Sequence, residues 1–262
     1  MKRVSACILA ASVAWAAAAL MPSPAGAQQT PHWEYAGHDG PDRWGSLSPA
    51  FASCSKGVQQ SPIDIPALAV LSAGSITFDY RPGGLNVVNN GHTIQVNHET
   101  GSSIQLDGIR HELLQLHFHS PSEHAISGKR EPMEMHLVHR NDRGALAVVG
   151  VMLREGSATH AYDAILHNLP RSAGDSISLP HVLIAPGELL PGDRAHWRYD
   201  GSLTTPPCSE GVSWVVLKTT VELSREQMEA FHAIVHDNAR PVQPVGARVI
   251  GAVPPTRATP EK

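Results

Sequence analysis

The sequence has no strong excess of charge, no internal repeat and no heptad pattern. After residue 20 it has no apolar run of membrane-spanning length. Lys and Arg number 20 against 24 Asp and Glu, a net charge of −4. That balance lacks the basic footprint of a nucleic-acid binder. The later apolar runs are too short for a transmembrane helix. Helix signals are scarce, and 22 Gly and 21 Pro cut the chain into short pieces. Cysteine occurs only at positions 7, 54 and 208.

The one long apolar stretch lies at the start. Lys2 and Arg3 precede it, residues 6–20 are apolar apart from Ser12, and Ala25-Gly26-Ala27 comes after it. This order is that of a secretory signal peptide over residues 1–27. A membrane anchor is the alternative, but the run is short and is closed off by Pro22 and Pro24. Residues 28–262 are then the mature chain, long enough for one domain with a sizeable core. Export would place it in the periplasm or outside the cell. Cys7 leaves with the leader. Cys54 and Cys208 remain, either as one disulfide or as two buried thiols.

The remaining pieces read mainly as strands. Ile76-Thr77-Phe78-Asp79-Tyr80, Leu85-Asn86-Val87-Val88, Thr93-Ile94-Gln95-Val96-Asn97 and Ser103-Ile104-Gln105-Leu106 are β-branched or alternating, with turn residues between. Residues 145–153 and 212–220 are continuous apolar runs, the pattern of strands buried on both faces. Ser224 opens a helix as N-cap, and Gln227 completes a capping box. Met228, Phe231, Ile234 and Val235 form its apolar stripe. A second helix is expected over residues 158–169.

One stretch points to chemistry. In Gln115-Leu116-His117-Phe118-His119, side chains two apart share a strand face. Glu134-Met135-His136 repeats that spacing on a second candidate strand. If the two strands share a sheet, three imidazoles converge on a site suited to zinc with its fourth position open. Gln115 and Glu134, each two residues before a ligand, are placed to accept the spare ring N–H. With 16 His in the chain, an HxH pair also arises as solvated surface, so spacing alone leaves both readings open.

Several ordered motifs together carry a resemblance. The segment 115–119, Ser122-Glu123-His124 and Glu134-Met135-His136-Leu137-Val138-His139 resemble the metal-site region of an α-class carbonic anhydrase of the exported bacterial type. Tyr199-Asp200-Gly201-Ser202-Leu203-Thr204-Thr205-Pro206-Pro207-Cys208 resembles the substrate-side loop of that family. Gln59-Gln60-Ser61-Pro62-Ile63-Asp64-Ile65 and Asn89-Asn90-Gly91-His92 match as well. The similarity runs from about Trp33 to Ile250.

The resemblance implies a mainly β single domain. Its core would be a large twisted mixed, mostly antiparallel sheet with a few short surface helices, and the metal would lie at the bottom of a conical cleft. It implies reversible hydration of CO2 to bicarbonate and a proton, by attack of zinc-held hydroxide. His117, His119 and His136 would hold one Zn2+, and the backbone carbonyl of Asn238 would orient His119. Thr204 would accept a hydrogen bond from the nucleophile and donate one to Glu123. Thr204 and Thr205 would face the substrate. Val138, Val148, Leu203, Val212 and Trp214 would form the apolar CO2 wall. His92 would be the proton shuttle, with Tyr35, Asn90 and Gln95 ordering the connecting waters. Gln95 stands where vertebrate members most often have Asn.

Cys54 and Cys208 match a disulfide of exported members. Homodimers are frequent among those relatives. Without the resemblance, the Thr-Thr-Pro-Pro stretch reads as a turn, the wall as ordinary core, and His92 as solvated surface. Rival readings are a zinc-dependent esterase using the same site, a metal-free binding domain of the same fold, and a zinc store.

Overall fold

The computed structural model describes residues 31–254 apart from 68, 72 and 73. The leader assigned to residues 1–27 lies outside them. Among the described residues, thirteen strands form one mixed sheet. Its main path runs Ser176–Ile184, Gly83–Asn89, Ile94–Asn97, Ile109–His119, Met133–Arg140, Leu146–Glu155, Glu210–Leu217, His196–Ser202, Gly251–Val253 and Val70–Leu71. Most pairings are antiparallel. Leu146–Glu155 runs parallel to both Glu210–Leu217 and Val221–Leu223. The mainly β, mixed-sheet expectation holds, and the apolar run from residue 145 is indeed a strand buried on both faces.

Alternation along the central strands sorts their side chains between two faces. Leu116, Phe118, Met133, Met135, Leu137, Val149, Val151, Val215 and Leu217 enter one large apolar core. The Arg225–Val235 helix packs there through Met228 and Phe231. Its N-terminus is the expected capping box: Ser224 Oγ accepts from the Gln227 N–H, and the Gln227 side chain accepts from the Ser224 N–H. Such a cap is worth about 1 kcal/mol. The opposite face carries Val138, Val148, Val212 and Trp214 in a second apolar cluster, together with the candidate ligands.

The Ile109–His119 strand changes phase part-way. Leu113 pairs with His139 and Gln115 with Val138, so Leu114 is an extra residue, a bulge against Met133–Arg140. The Leu114 carbonyl is held by the His98 N–H at 3.0 Å. Before the bulge, odd-numbered Leu113 enters the large core. After it, even-numbered Leu116 and Phe118 do. Gln115, His117 and His119 are thereby turned to the other face.

The helix expected over 158–169 is not one helix. A 3-10 turn at His160–Tyr162 leads into a single α-turn, Asp163–Leu166. Tyr162 and Ile165 anchor these turns in the core. Asn168 then folds its side-chain amide back onto the Ala164 carbonyl, and Pro170 comes two residues later, so backbone hydrogen bonding stops there.

Cys54 and Cys208 form a disulfide across 154 residues of sequence. The chain-entropy model gives about 5 kcal/mol for closing so long a loop. The bridge sits in a third apolar cluster with Trp33, Trp44 and Phe51, at the end of the loop that carries Thr204.

Candidate active site

Register brings the three histidines together. In the antiparallel pairing of Ile109–His119 with Met133–Arg140, His117 lies opposite His136 and His119 opposite Glu134. One nitrogen from each of His117, His119 and His136 lies within 4.8 Å of the other two. His119 and His136 are buried, and His117 is partly so.

The far nitrogen of each ring is fixed. His117 Nδ1 donates to Gln115 Oε1 at 2.8 Å. His119 Nδ1 donates to the Asn238 carbonyl at 2.8 Å. His136 Nε2 donates to Glu134 Oε1 at 2.9 Å. These partners leave His117 Nε2, His119 Nε2 and His136 Nδ1 with lone pairs on the site side. Buried His119 Nε2 has no hydrogen-bond partner among the described residues. Three neutral imidazoles with oriented lone pairs form a donor set that suits zinc.

Electrostatics support the same assignment for His117 and His119. Burial, with repulsion from His119 and His136, holds His117 well below the usual imidazole range. Burial lowers His119 too, against the pull of Glu123. Both rings are therefore neutral, as ligands must be. Burial disfavours charge on His136, but the Glu134 carboxylate outweighs it and raises the pKa. That same negative charge would favour a cation at His136 Nδ1.

Glu134 is buried, which by itself opposes ionisation. His124 and His136 outweigh the burial and hold its carboxyl well below the usual range. Its Oε2 accepts the backbone N–H groups of Glu123 and His124. Its Oε1 accepts His124 Nδ1 at 2.8 Å as well as His136. His124 Nε2 then accepts from the Tyr199 hydroxyl at 2.6 Å, and Tyr199 Oη meets Ser61 Oγ at 2.9 Å. His124, Glu134 and His136 also cluster closely enough to hold a metal. Both ring nitrogens facing Glu134 donate to it, however, so the cluster is a hydrogen-bonded relay.

Sequence reasoning missed His124, Tyr199 and Ser61 as members of this relay, although all three lie inside quoted motifs. It also missed Arg240. This buried guanidinium donates to Gln60 Oε1 and to the carbonyls of Ser61 and Cys54. Its backbone N–H holds Glu123 Oε1 at 2.9 Å. Burial lowers its pKa to about 10, so it remains charged. An arginine just before Pro241 gives no periodic signal by which to find it.

Glu123 keeps its Oε2 without a hydrogen-bond partner among the described residues, 3.5 Å from His119 Nε2 and 3.9 Å from His136 Nδ1. Thr204 is buried in the loop after His196–Ser202. No hydrogen bond joins Thr204 to Glu123 among the described residues. A turn closes the loop, with the Cys208 N–H on the Thr205 carbonyl at 2.8 Å. Val138, Val148, Val212 and Trp214 belong to one apolar cluster, with Leu203 packed against it. The Trp214 ring lies edge-on to His136, centroids 4.9 Å apart.

His92 is tied to the centre through one residue. Asn238 gives its carbonyl to His119 and its side-chain amide to the His92 carbonyl. Asn90 Oδ1 accepts the N–H groups of His92 and Thr93, so Asn90 builds the turn that presents His92. Gln95 accepts weakly from Asn90 at 3.4 Å and donates to Asn97 at 2.7 Å. The Tyr35 ring stands edge-on to His92, centroids 6.5 Å apart.

A family model for eukaryotic-type carbonic anhydrase matches residues 39–253. The chain belongs to the α-carbonic anhydrase family. The carbonic anhydrase of Klebsiella pneumoniae is 42% identical over 222 residues, 84% of this chain and 90% of that protein. That of a Nostoc species is 42% identical over 233 residues, 87% of this chain and 88% of the other. The α-carbonic anhydrase of Thermovibrio ammonificans, solved with the inhibitor sulfanilamide, superposes with a TM-score of 0.82 at 44% identity. That match covers 84% of this chain and 99% of the other. The chain is thus an enzyme of a family that hydrates CO2. No helix among the described residues is long and apolar enough to cross a membrane.

The carbonic anhydrase site depends on one close approach. A Cβ built on Gly150 would lie 2.8 Å from Glu134 Oε1, and Gly150 pairs with His136 across the sheet. Gly150→Ala should push the carboxylate off His136 and His124. Partners of metal-ligating histidines typically set affinity by about 10- to 100-fold. A loss of that size is expected in chelator-competition titrations. Unchanged affinity would mean that Glu134 has room to move without consequence.

Proposed function

We propose that this enzyme catalyses reversible hydration of CO2 to bicarbonate and a proton, with one zinc ion held by His117 Nε2, His119 Nε2 and His136 Nδ1. The observation that carries the reading is the convergence of three imidazoles, each with its far nitrogen already committed to a fixed acceptor. As in the three-histidine zinc of carbonic anhydrases, a zinc ion bound here would supply hydroxide near neutral pH. The rest falls to the chain. Gln115, Glu134 and the Asn238 carbonyl fix ring orientation and tautomer. Thr204 would donate its hydroxyl proton to the free Oε2 of Glu123 and accept one from the attacking oxygen, aiming a lone pair at the substrate carbon. The Thr204 N–H, with Thr205 beside it, would hold a substrate oxygen. Val138, Val148, Leu203, Val212 and Trp214 offer an apolar wall to an apolar gas.

His92 would carry the released proton outward, with Tyr35, Asn90 and Gln95 lining its path. Burial lowers its pKa from the ordinary value, with Glu34 opposing that shift. Weak zinc-dependent esterase activity would use the same site. Residues 28–262 would form the exported enzyme after loss of the leader. The Cys54–Cys208 bridge, which suits an oxidising compartment, supports export. Stopped-flow CO2 hydration with metal analysis tests the whole proposal: no hydration activity in protein carrying one zinc per chain would reject it.

The shuttle has a separate signature. Proton export comes after release of bicarbonate, so it affects kcat and spares kcat/KM for CO2. His92→Ala should lower kcat at least about tenfold in dilute, bulky buffer. Added imidazole should restore much of that rate. If both parameters fall together, the substitution has disturbed the site itself. If neither changes, His92 is a turn residue with no part in proton export.

A further inference from the structure

The loop that carries Thr204 is held at both ends by one short stretch of chain. At its start, Ser61 and Ser202 exchange two hydrogen bonds. The Ser61 N–H donates to Ser202 Oγ at 2.9 Å, and the Ser202 N–H donates to Ser61 Oγ at 3.1 Å. Near its end, Gln60 Nε2 donates to the Cys208 carbonyl at 3.0 Å. The loop also closes on itself, with the Leu203 N–H on the Ser209 carbonyl at 3.0 Å. Thr204 therefore takes its position from Gln60 and Ser61.

Arg240 grips both of those residues. Its Nη1 donates to Gln60 Oε1 at 2.9 Å and to the Ser61 carbonyl at 2.7 Å, and its Nη2 donates to the Cys54 carbonyl at 3.0 Å. The guanidinium lies over the Trp44 ring, 5.7 Å from its centroid, and the residue is 1% exposed. A rigid planar fork with acceptors on both arms is confined to one pose. The backbone of the same residue faces the other partner of the proposed relay. Its N–H holds Glu123 Oε1 at 2.9 Å, and its carbonyl accepts from Arg130 Nη2 at 3.1 Å. A carboxylate is planar, so pinning Oε1 limits the arc open to Oε2. That second oxygen, without a partner among the described residues, is the one left for Thr204.

We propose that Arg240 is a positioning residue for the Thr204–Glu123 relay: its side chain fixes the loop that carries Thr204, its main chain fixes Glu123, and so one residue sets the spacing between them. The proposal rests on that relay reading. Metal binding is separable from it. Asn238, which orients His119, lies two residues before Arg240 but has anchors of its own. Its N–H donates to the Ser120 carbonyl at 3.0 Å, its Oδ1 accepts the Ser120 N–H at 2.7 Å, and its Nδ2 donates to the Phe118 carbonyl at 2.9 Å.

The test makes Arg240→Lys and Gln60→Met, each in the wild-type and in the Thr204→Ala background. Lysine keeps the charge but lacks the fork that reaches three acceptors. Gln60→Met cuts the same frame and leaves Arg240 in place, so it decides the matter if Arg240→Lys fails to fold. In the zinc-loaded enzyme, Arg240→Lys should lower kcat/KM for CO2 by about 10- to 100-fold, the scale of a small displacement imposed from outside the reacting groups. Zinc content should stay at the wild-type level. In the Thr204→Ala background the same substitution should cost almost nothing further, because the relay that it positions is already gone. Gln60→Met should follow the same pattern. In the metal-free protein, amide hydrogen exchange at residue 240 should be faster by about tenfold or more in Arg240→Lys, the scale of a hydrogen bond to a charged group. Exchange at Asn238 should be unchanged.

An equal fall in kcat/KM in both backgrounds would overturn the proposal, since Arg240 would then be a clamp of the fold with no bearing on the relay. So would a normal kcat/KM in folded Arg240→Lys, or unchanged exchange at residue 240. Failure of the relay reading looks different: Thr204→Ala alone would leave kcat/KM at the wild-type value, and the role of Arg240 would fall with it.

Discussion

His117→Ala should abolish CO2 hydration and leave the purified protein with far less than one zinc per chain. In the proposed site the ring would supply one of three donors. Gln115, its immediate partner, is two residues away on the same strand and would lose its own acceptor role. Groups one step removed from a ligand typically change metal affinity by about 10- to 100-fold. Loss of a ligand itself should exceed that range. The fold should survive, because His117 lies on the site face and the large core on the other face is untouched. Metal content after dialysis, measured alongside stopped-flow hydration and circular dichroism, checks all three points. Full metal occupancy with normal turnover would remove His117 from the ligand set.

Thr204→Ala should separate catalysis from metal binding. The hydroxyl holds no ligand ring, so zinc content should stay at the wild-type level. Losing one group that orients the reacting oxygen typically costs about 2–4 kcal/mol in the transition state. That corresponds to a fall in kcat/KM of roughly 30- to 1000-fold. The argument depends on Glu123. Its Oε1 is occupied by the Arg240 N–H, and its Oε2 has no partner among the described residues, so one oxygen is available to take the threonine proton. Thr204→Ser keeps the hydroxyl and should retain most of the activity. Equal rates for wild type and Thr204→Ala would show that no such orientation occurs.

Local pattern carried much of the site. Alternation in 115–119 and 134–136 put three imidazoles on one face, with Gln115 and Glu134 beside two of the rings. Strand boundaries tracked β-branched runs between turn residues. The capping box at Ser224 was legible because it is encoded within four residues. Features set by distant chain were not legible. His124 looks like a neighbour of Glu123 until Tyr199, 75 residues later, meets its Nε2. Arg240 joins Glu123, Ser61 and Cys54 only once four separate segments have packed. The helix expected over 158–169 failed for a related reason. Its apolar residues serve tertiary contacts made by two short turns, and the spacing did not reveal that.

The bulge at Leu114 gives the Ile109–His119 strand a reading frame, and the two halves of the strand are read in different frames. Two single-residue deletions, two positions apart, should therefore have opposite outcomes. Without Leu114, Leu113 and Gln115 become ordinary neighbours opposite His139 and Val138, the pairing they already have. Every later side chain keeps its face, and the zinc site should persist. Without Leu116, the parity of every later residue is reversed. His117 and His119 would turn into the apolar core, and Phe118 would point at the metal position. That protein should retain no zinc, whereas the Leu114 deletion should retain it. The convergence of the three imidazoles is specified by an odd–even count along one strand as much as by the identity of the histidines.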